Sequence, residues 1–542
     1  METVTLILAL LFAVVMSGIL ARLLPFSLPR PLVQIAMGAA IGLVAGWRVV
    51  LDPDIFFLLF LPPLLFLDGW RLPSEDLFKD RTTVLELALG LVVVTVLGMG
   101  LFIHWLLPAM PLPVAFALAA VVSPTDPIAV AAIAQRTPIP KRMMHILEGE
   151  SLLNDASGLV CLRFAIAATL TGTFSLGAAT FDFLWAALGG LGVGAGLTWL
   201  VGWAKAVITR RLGEESSSQI LISLLIPFGA YLVAEHLHCS GILASVAAGL
   251  TMSIVEARGN ALAVTRIRRT TVWDVIQFTA NGVIFVLLGE QLPTILAGAA
   301  ASVHLTGHHA PWWLINYVIA ISLGLAALRF VWVWLSFRLT LFRRRKDRAQ
   351  PHWRVIGAMS FAGVRGAITL AGVLTLPLTM LDGTPFPARD LAIFLAMGVI
   401  IFSLIAGSIG LPLMMRGLEM PPEPARDAQV DAARTAAAEA AIAAIERTQH
   451  RLADGRKDAD AYVNIAARLM DLYRERIGHP AAEPQQQEMR KRDEAIERDL
   501  RLAALRAERQ EVFRRVRNRE LGSEAARRLV REIDLFEARF LI

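Results

Sequence analysis

Two short segments hold the residues whose types and spacing could do chemistry. In EGESLLNDASG, Ser151 and Asp155 stand four apart, and so do Glu150 and Asn154. Residues four apart share one face of a helix, and the two pairs sit about 100° from one another. One helix therefore presents a hydroxyl beside a carboxylate on one face, and a carboxylate beside a carboxamide on the next. The first combination is oxygen chemistry suited to a hard monovalent cation, and a lone carboxylate in a low-dielectric cleft can hold either a proton or that cation. Asp155 is the candidate carrier, with Ser151 beside it. Glu150 and Asn154 read as a structural stripe binding neighbouring helices. In AVVSPTDPIAV, Pro124 and Pro127 flank Thr125 and Asp126. Two prolines so close remove hydrogen-bond donors and clash with the preceding turn, so the helix must break there. Asp126 before Pro127 fits an N-cap with proline at the first helical position, and equally fits electrostatic tuning of a cation site. Thr125, with a hydroxyl and a freed carbonyl, is the better direct oxygen ligand.

Further ionisable residues interrupt apolar runs: Asp68, Arg163, Arg329 and Arg365. A charge at such a place costs at least ~2.5 kcal/mol even on lenient insertion scales, and usually marks an ion or proton path. An ionised Glu150 needs a positive partner, since an unpaired buried carboxylate would neutralise instead. Arg329 in LAALRFVWVW and Arg365 in FAGVRGAITLAG are the available cations. Arg163 fits structural pairing or snorkelling as well as it fits a path.

The elements that must position these residues are membrane helices. Of 542 residues 56% are hydrophobic and 18% charged, against roughly 25% charged in soluble chains. Residues 1–420 hold 28 Lys+Arg and 23 Asp+Glu, while residues 421–542 hold 24 and 23. An apolar unit over 1–420 is thus followed by a charged unit over 421–542. At about 20 residues per crossing, thirteen candidate spans appear at 3–21, 32–50, 54–70, 83–107, 113–134, 144–170, 183–204, 218–236, 239–255, 271–297, 311–337, 354–379 and 391–415. Loops on one side, from Arg22 and Arg30 through Lys205, Arg210 and Arg211, Arg258, Arg266, Arg268 and Arg269 to Arg354, carry 22 basic residues, and the other side only Arg48 and Arg389. Basic loops face the cytoplasm, so the N-terminus is expected outside and the C-terminus inside. Gly363, Gly366, Gly372 and Pro377 make the twelfth span the counterpart of the broken fifth. Seven spans apart, they suggest two inverted six-helix halves whose broken helices cross near the midplane.

The net charge of +6 belongs mostly to the apolar unit, where it marks topology, so nucleic acid is not needed as a partner. Cys161 and Cys239, both in apolar runs, exclude a disulfide framework or a cysteine-based zinc site. No Lys or Arg precedes the first apolar stretch, which reads as a span and not a signal peptide. No cofactor motif occurs: no phosphate-binding G-x-x-x-x-G-K-[ST] and no EF-hand loop. His304, His308 and His309 read as a solvated loop cluster. A hydrolase built on Ser151 and Asp155 lacks a base, His145 lying six residues before Ser151 at the end of its span, and no H-E-x-x-H or G-x-S-x-G segment is present. In the tail, residues 424–453 and 484–541 read as helices with i,i+3 and i,i+4 charge pairs, forming a regulatory or dimer-supporting domain.

At four blocks, LPPLLFLDGWRLP around Asp68, SPTDPIAV around Asp126, GESLLNDASG around Asn154 and Asp155, and GVRGAITLA around Arg365, the sequence resembles the monovalent cation/proton antiporter-1 family. The resemblance covers about 400 residues. It implies an all-α homodimer of thirteen-span subunits in the cell's inner membrane, with spans 1–3 and 7–10 for dimerisation and spans 4–6 and 11–13 as a moving core. It further implies no enzyme activity, but alternating-access antiport of Na+ (or Li+) against H+, serving sodium transport and pH homeostasis, with K+/H+ exchange as the alternative on the same scaffold. Asp155 matches the ion and proton carrier, Ser151, Thr125 and Asp68 the transported-cation site, Asp126 the helix crossing, and Arg329 the partner of Glu150. An Asn154–Asp155 order resembles the electroneutral branch, and one carboxylate holding either H+ or a monovalent cation makes exchange one for one.

Overall fold

The computed structural model describes residues 2–23, 28–44, 53–71, 90–134, 139, 141–172, 176–257, 262–302, 312–343, 353–416, 424–454, 459–477, 484–518, 520–521 and 523–541. Their repeating structure is helical throughout. The chain divides into two compact units, Met1–Glu419 and Met420–Ile542.

The first unit contains α1 (Glu2–Leu23), α2 (Arg30–Val44), α3 (Pro53–Arg71), α4 (Leu91–Leu106), α5 (Leu112–Val122), α6 (Pro127–Ala134), α7 (Lys141–Thr171), α8 (Leu176–Leu212), α9 (Ser216–His236), α10 (Gly241–Ala257), α11 (Ala263–Ser302), α12 (Trp313–Arg343), α13 (Trp353–Phe361), α14 (Ala367–Leu374) and α15 (Arg389–Met415). Each of the thirteen apolar stretches falls on one of these helices or on a broken pair. The fifth is α5 and α6, and the twelfth α13 and α14. Residues 45–50 of the second stretch, Arg48 among them, and 83–89 of the fourth lie outside the described residues, as do Lys79, Arg81, Arg136, Arg258, Arg344, Arg345, Lys346, Arg348, and the His304, His308 and His309 cluster. Six described helices are long and apolar enough to cross a membrane, within Val4–Leu23, Leu184–Leu212, Ser216–His236, Ala263–Gly298, Trp313–Ser336 and Arg389–Met415. Their outer faces carry large apolar side chains in the open, such as Phe12, Leu188, Trp203 and Leu323. In lipid such a surface carries no penalty, because helix association there depends on close packing and not on hiding apolar area.

Close packing is visible where small residues let backbones meet. A Cβ on Gly38 of α2 would lie 1.9 Å from the Val286 carbonyl oxygen of α11, and one on Gly289 of α11 would lie 1.9 Å from that of Ile35. Any larger residue at either position would force α2 and α11 apart.

The helices run past their apolar stretches. Lys205, Arg210 and Arg211, expected in a loop, belong to α8, and Arg266, Arg268 and Arg269 belong to the opening turns of α11. Arg269 is only 1% exposed. It is buried because a countercharge and a ring receive it: it pairs with Glu256, and its guanidinium lies 5.3 Å from the centroid of Trp70. Trp70 Nε1 donates to the other Glu256 oxygen at 2.9 Å. Charge alone had marked it as a loop residue.

The second unit holds α16 (Pro424–Ala453), α17 (Ala459–Ile477), α18 (Pro484–Arg517) and α19 (Ser523–Leu541). Helix α16 packs on α17, and α18 on α19. Arg509 of α18 ties the second pair, reaching Asp534 at 2.8 Å and also Glu537 on α19. Helix α17 was not anticipated from the sequence, and 484–541 is two helices interrupted near Asn518.

Candidate functional site

The two broken helices meet backbone to backbone. Asp126 N–H donates to the Val364 carbonyl at 2.7 Å, joining residues 123–126 between α5 and α6 to residues 362–366 between α13 and α14. The approach is close enough that a Cβ on Gly366 would fall 1.7 Å from Asp126 Oδ2. Glycine is the one residue type that fits there.

Broken helices leave unsatisfied carbonyls at one end and unsatisfied N–H groups at the other, with matching partial charges. Charged side chains answer both ends. Asp126 Oδ1 accepts from Ala129 N–H at 3.2 Å, capping α6, and its other oxygen lies against Gly366 at the start of α14. Arg365 Nε donates to the Val122 carbonyl at the end of α5 at 3.0 Å, and its Nη1 donates to the Gly363 carbonyl. Arg329 Nε donates to the Met359 carbonyl in the last turn of α13 at 3.0 Å. A carboxylate thus stands between two helix starts and guanidinium groups cover two helix ends.

Helix α7 crosses beside this junction, and both of its polar faces reach Thr125. Ser151 Oγ has the Thr125 carbonyl at 2.8 Å and Asp155 Oδ2 at 3.2 Å. Asn154 Nδ2 donates to Thr125 Oγ1 at 3.1 Å. The freed carbonyl of the broken turn is therefore engaged, as is its hydroxyl. On the second face Glu150, 0% exposed, receives Arg329, whose Nη2 donates to Oε2 at 3.0 Å and whose Nη1 donates to Oε1. Of the two cations available to Glu150, Arg329 is the partner and Arg365 serves the carbonyls. Gly158, a turn beyond Asp155, lets α7 approach α5: a Cβ there would lie 2.6 Å from Pro124 Cγ.

These groups face a cleft lined by Leu64 and Asp68 of α3, by 124–127, by Ser151 and Asp155 of α7, by Asn281 of α11 and by 366–369. The site residues Asp155, Ser151, Thr125, Asp126 and Asp68 all line it. Asn154, Glu150, Arg329 and Arg365 stand behind the wall. Asp155 is 3% exposed, and among the described residues no cationic side chain lies within ion-pair reach of it. Arg163 takes no part: its Nη2 pairs with Glu235 Oε1 of α9 at 2.8 Å, which is the structural pairing open to it from the sequence. Two lining groups went unnoticed in the sequence, Asn281 and Thr369. Asn281 follows Thr279 in an otherwise apolar stretch of α11, FTANGVIFVLL, and Thr369 lies three residues after Gly366. Both offer a neutral oxygen to the cleft.

A helical membrane protein with crossed, broken helices and buried carboxylates at the crossing has the architecture of a secondary transporter. The transmembrane sodium/hydrogen exchanger family matches residues 7–417, and the chain belongs to it. It is a membrane-spanning transporter of monovalent cations and protons, not an enzyme. It is 41% identical, over 99% of both chains, to a protein of Escherichia coli (strain K12) described as an uncharacterized Na+/H+ exchanger. It is 39% identical, over 97% of this chain and 76% of the relative, to a sodium, potassium, lithium and rubidium/H+ antiporter of Bacillus pumilus (strain SAFR-032). Its fold resembles that of the sodium proton antiporter MjNhaP1 of Methanocaldococcus jannaschii, with TM-score 0.60, 19% identity, and coverage of 77% of this chain and 99% of the other.

Proposed function

We propose that this chain exchanges Na+ (or Li+) for H+ one for one, with Asp155 holding a proton or a cation in turn. The observation that carries this reading is the setting of the Asp155 carboxylate. It is shielded from bulk solvent, faces the cleft, has a hydroxyl and no countercharge beside it, and follows a neutral Asn154. A shielded carboxylate without a fixed partner must take up a mobile positive ion. Proton and cation then compete, and the site crosses with the same charge either way. Ser151 and Thr125 supply oxygens for the dehydrated cation, Asp68 and Asp126 hold the cleft negative, and Glu150–Arg329 and Arg365 keep the crossing rigid.

The cleft lies where Leu64, Asp68 and Asn281, from spans three and ten, meet residues of spans five, six and twelve. That seam supports a division into a dimerisation part (spans 1–3 and 7–10) and a moving core (spans 4–6 and 11–13), repeated with inverted topology across thirteen spans. Sliding of one part past the other would expose Asp155 to each side alternately. We read the assembly as a homodimer in the cell's inner membrane, N-terminus outside, with residues 421–542 as a cytoplasmic regulatory domain.

K+/H+ exchange is the second reading. The Bacillus pumilus relative is described as handling sodium, potassium, lithium and rubidium, and oxygen ligands do not by type exclude a larger ion.

The test is cation-driven proton flux in proteoliposomes with Na+, Li+ and K+ in turn, followed by measurement of the Na+ gradient that just balances a fixed pH gradient. One-for-one exchange predicts a balance point that ignores an imposed potential, clamped with K+ and valinomycin where the K+ arm shows no exchange. A second carrier carboxylate would couple it to voltage by about 2.3 kcal/mol per net charge per 100 mV. A moving balance point would sink electroneutrality, and absence of flux with all three ions would sink antiport.

A further inference from the structure

We propose that Glu148 captures the cation at the mouth of the cleft before it reaches Asp155, and that His145 sets how well it does so. The inference rests on the antiport reading. His145, Glu148, Ser151 and Asp155 are spaced three, three and four apart on α7, which puts them in file on one face of the helix. The two ends of the file differ in exposure: the side chains of His145 and Glu148 are 28% and 41% exposed, whereas Ser151 and Asp155 are buried at 2% and 3%. The file therefore runs from water to the buried carrier. Glu148 lies close enough to Asp68, on the cleft wall, for the two charges to act on one another. A cation drawn to Glu148 is then already in the field of the cleft carboxylates.

His145 Nδ1 sits 3.5 Å from Glu148 Oε2 and has no hydrogen-bond partner among the described residues. Histidine changes charge between about pH 5 and 8. When protonated it supplies a countercharge to Glu148, and the mouth loses its pull on cations. When neutral it leaves the carboxylate free to attract them. On α7 itself Lys141 and Arg142 stand four and three residues before His145. Asp68 of α3, on which Glu148 acts, is itself acted on by Asp126 of the α5–α6 break and by Arg71. Helices α5, α6 and α14, also packed on α7, contain no titratable side chain. Helix α4 contains only His104, whose Nδ1 lies 2.8 Å from the Met110 carbonyl, and α10 contains only Glu256, paired with Arg269. Among the described residues, His145 is the titratable group within ion-pair reach of Glu148.

A half-hydrated unit charge attracts weakly, which suits a residue that must hand its ion on. Removing it should raise the apparent KM for the cation on the α7 N-terminal side by about 3- to 10-fold at low ionic strength, with a smaller change in maximal rate, and the effect should shrink in high salt. The experiment measures Na+-dependent proton flux in oriented proteoliposomes of the full chain between pH 6 and 8. Glu148→Gln should show the raised KM and Glu148→Asp should largely restore it. His145→Arg should show the raised KM at every pH, His145→Gln should flatten the pH dependence of KM below neutrality, and His145→Arg combined with Glu148→Gln should be no worse than Glu148→Gln alone. An unchanged KM in Glu148→Gln, or additive effects in the double variant, would overturn the capture role while leaving antiport at Asp155 standing. Asp155→Asn, run alongside, tests that underlying reading separately.

Discussion

Glu150 and Asp155 sit five residues apart on one helix, both almost entirely shielded from solvent at 0% and 3% exposure. Their surroundings differ in one respect. Glu150 receives a fixed guanidinium from Arg329 through both of its oxygens, while Asp155 has a hydroxyl and an open cleft. On the carrier reading proposed for Asp155, burial alone does not set the two carboxylates apart; among the described residues the difference is that Asp155 has no permanent countercharge. A glutamate locked to an arginine has its charge balanced in every state and serves to fasten α7 to α12, whereas an aspartate without one must be balanced by whatever the cleft admits.

The sharpest way to break this contrast is to remove the charge that the cleft must balance. Asp155→Asn should reduce exchange by at least about 100-fold, the scale expected when the one group making a required interaction is lost, while the purified protein keeps its elution volume and melting temperature. Full exchange by that variant would erase the difference between the two carboxylates. Asp155→Glu keeps the charge and moves it by a methylene, so partial exchange with an altered apparent affinity is expected in the same assay.

Glu150→Ala should act on stability first. It strands Arg329 in a site 2% exposed, and breaking a buried pair from one side costs about 3–5 kcal/mol. A lowered melting midpoint in detergent is the measurement. Replacing Arg329 by Met together with Glu150→Ala should cost less than the two single losses summed, since neither partner is then left alone. Additive shifts would mean that the pair does not act as a unit, and that Arg329 matters chiefly through the Met359 carbonyl.

The smallest effect belongs to the tail, where the same chemistry meets water. Glu511 is bonded by Arg514 and Arg515, whose hydrogen bonds hold its carboxyl down to about 2, and its side chain is 43% exposed. A depressed value means that the bonded form is favoured above the ordinary carboxylate range and lost only as pH falls toward 2. No change is therefore expected between pH 6 and 8. Exposed pairs contribute little because solvent screens them, so Glu511→Gln should leave the melting midpoint of the full chain within error. A drop comparable to that of Glu150→Ala would show that partner identity outweighs dielectric.

Much of the site could be read from residue order because its logic is local. The i,i+4 spacing of Ser151 and Asp155 fixes their common face as soon as the segment is helical, and two prolines around Thr125 and Asp126 force a break whatever surrounds them. Asp126 as an N-cap follows from the same short stretch, since a cap needs only the three residues after it. The apolar stretches place the helices because lipid leaves the backbone no other partners. What sequence order could not decide is which distant groups meet. Glu150 had two arginines open to it, and the fold gave it Arg329 of α12, which also reaches the Met359 carbonyl of α13, and left Arg365 to carbonyls. Arg269 carries the charge of a loop residue and is buried because Glu256 and Trp70 come from other helices to receive it. Asn281 and Thr369 look unremarkable along the chain and become cleft groups only when α11 and α14 close around α7. A side chain's own helix sets its direction, but its partners lie on other elements, as far as 179 residues away for Glu150 and Arg329, and only tertiary contact brings them within hydrogen-bond distance.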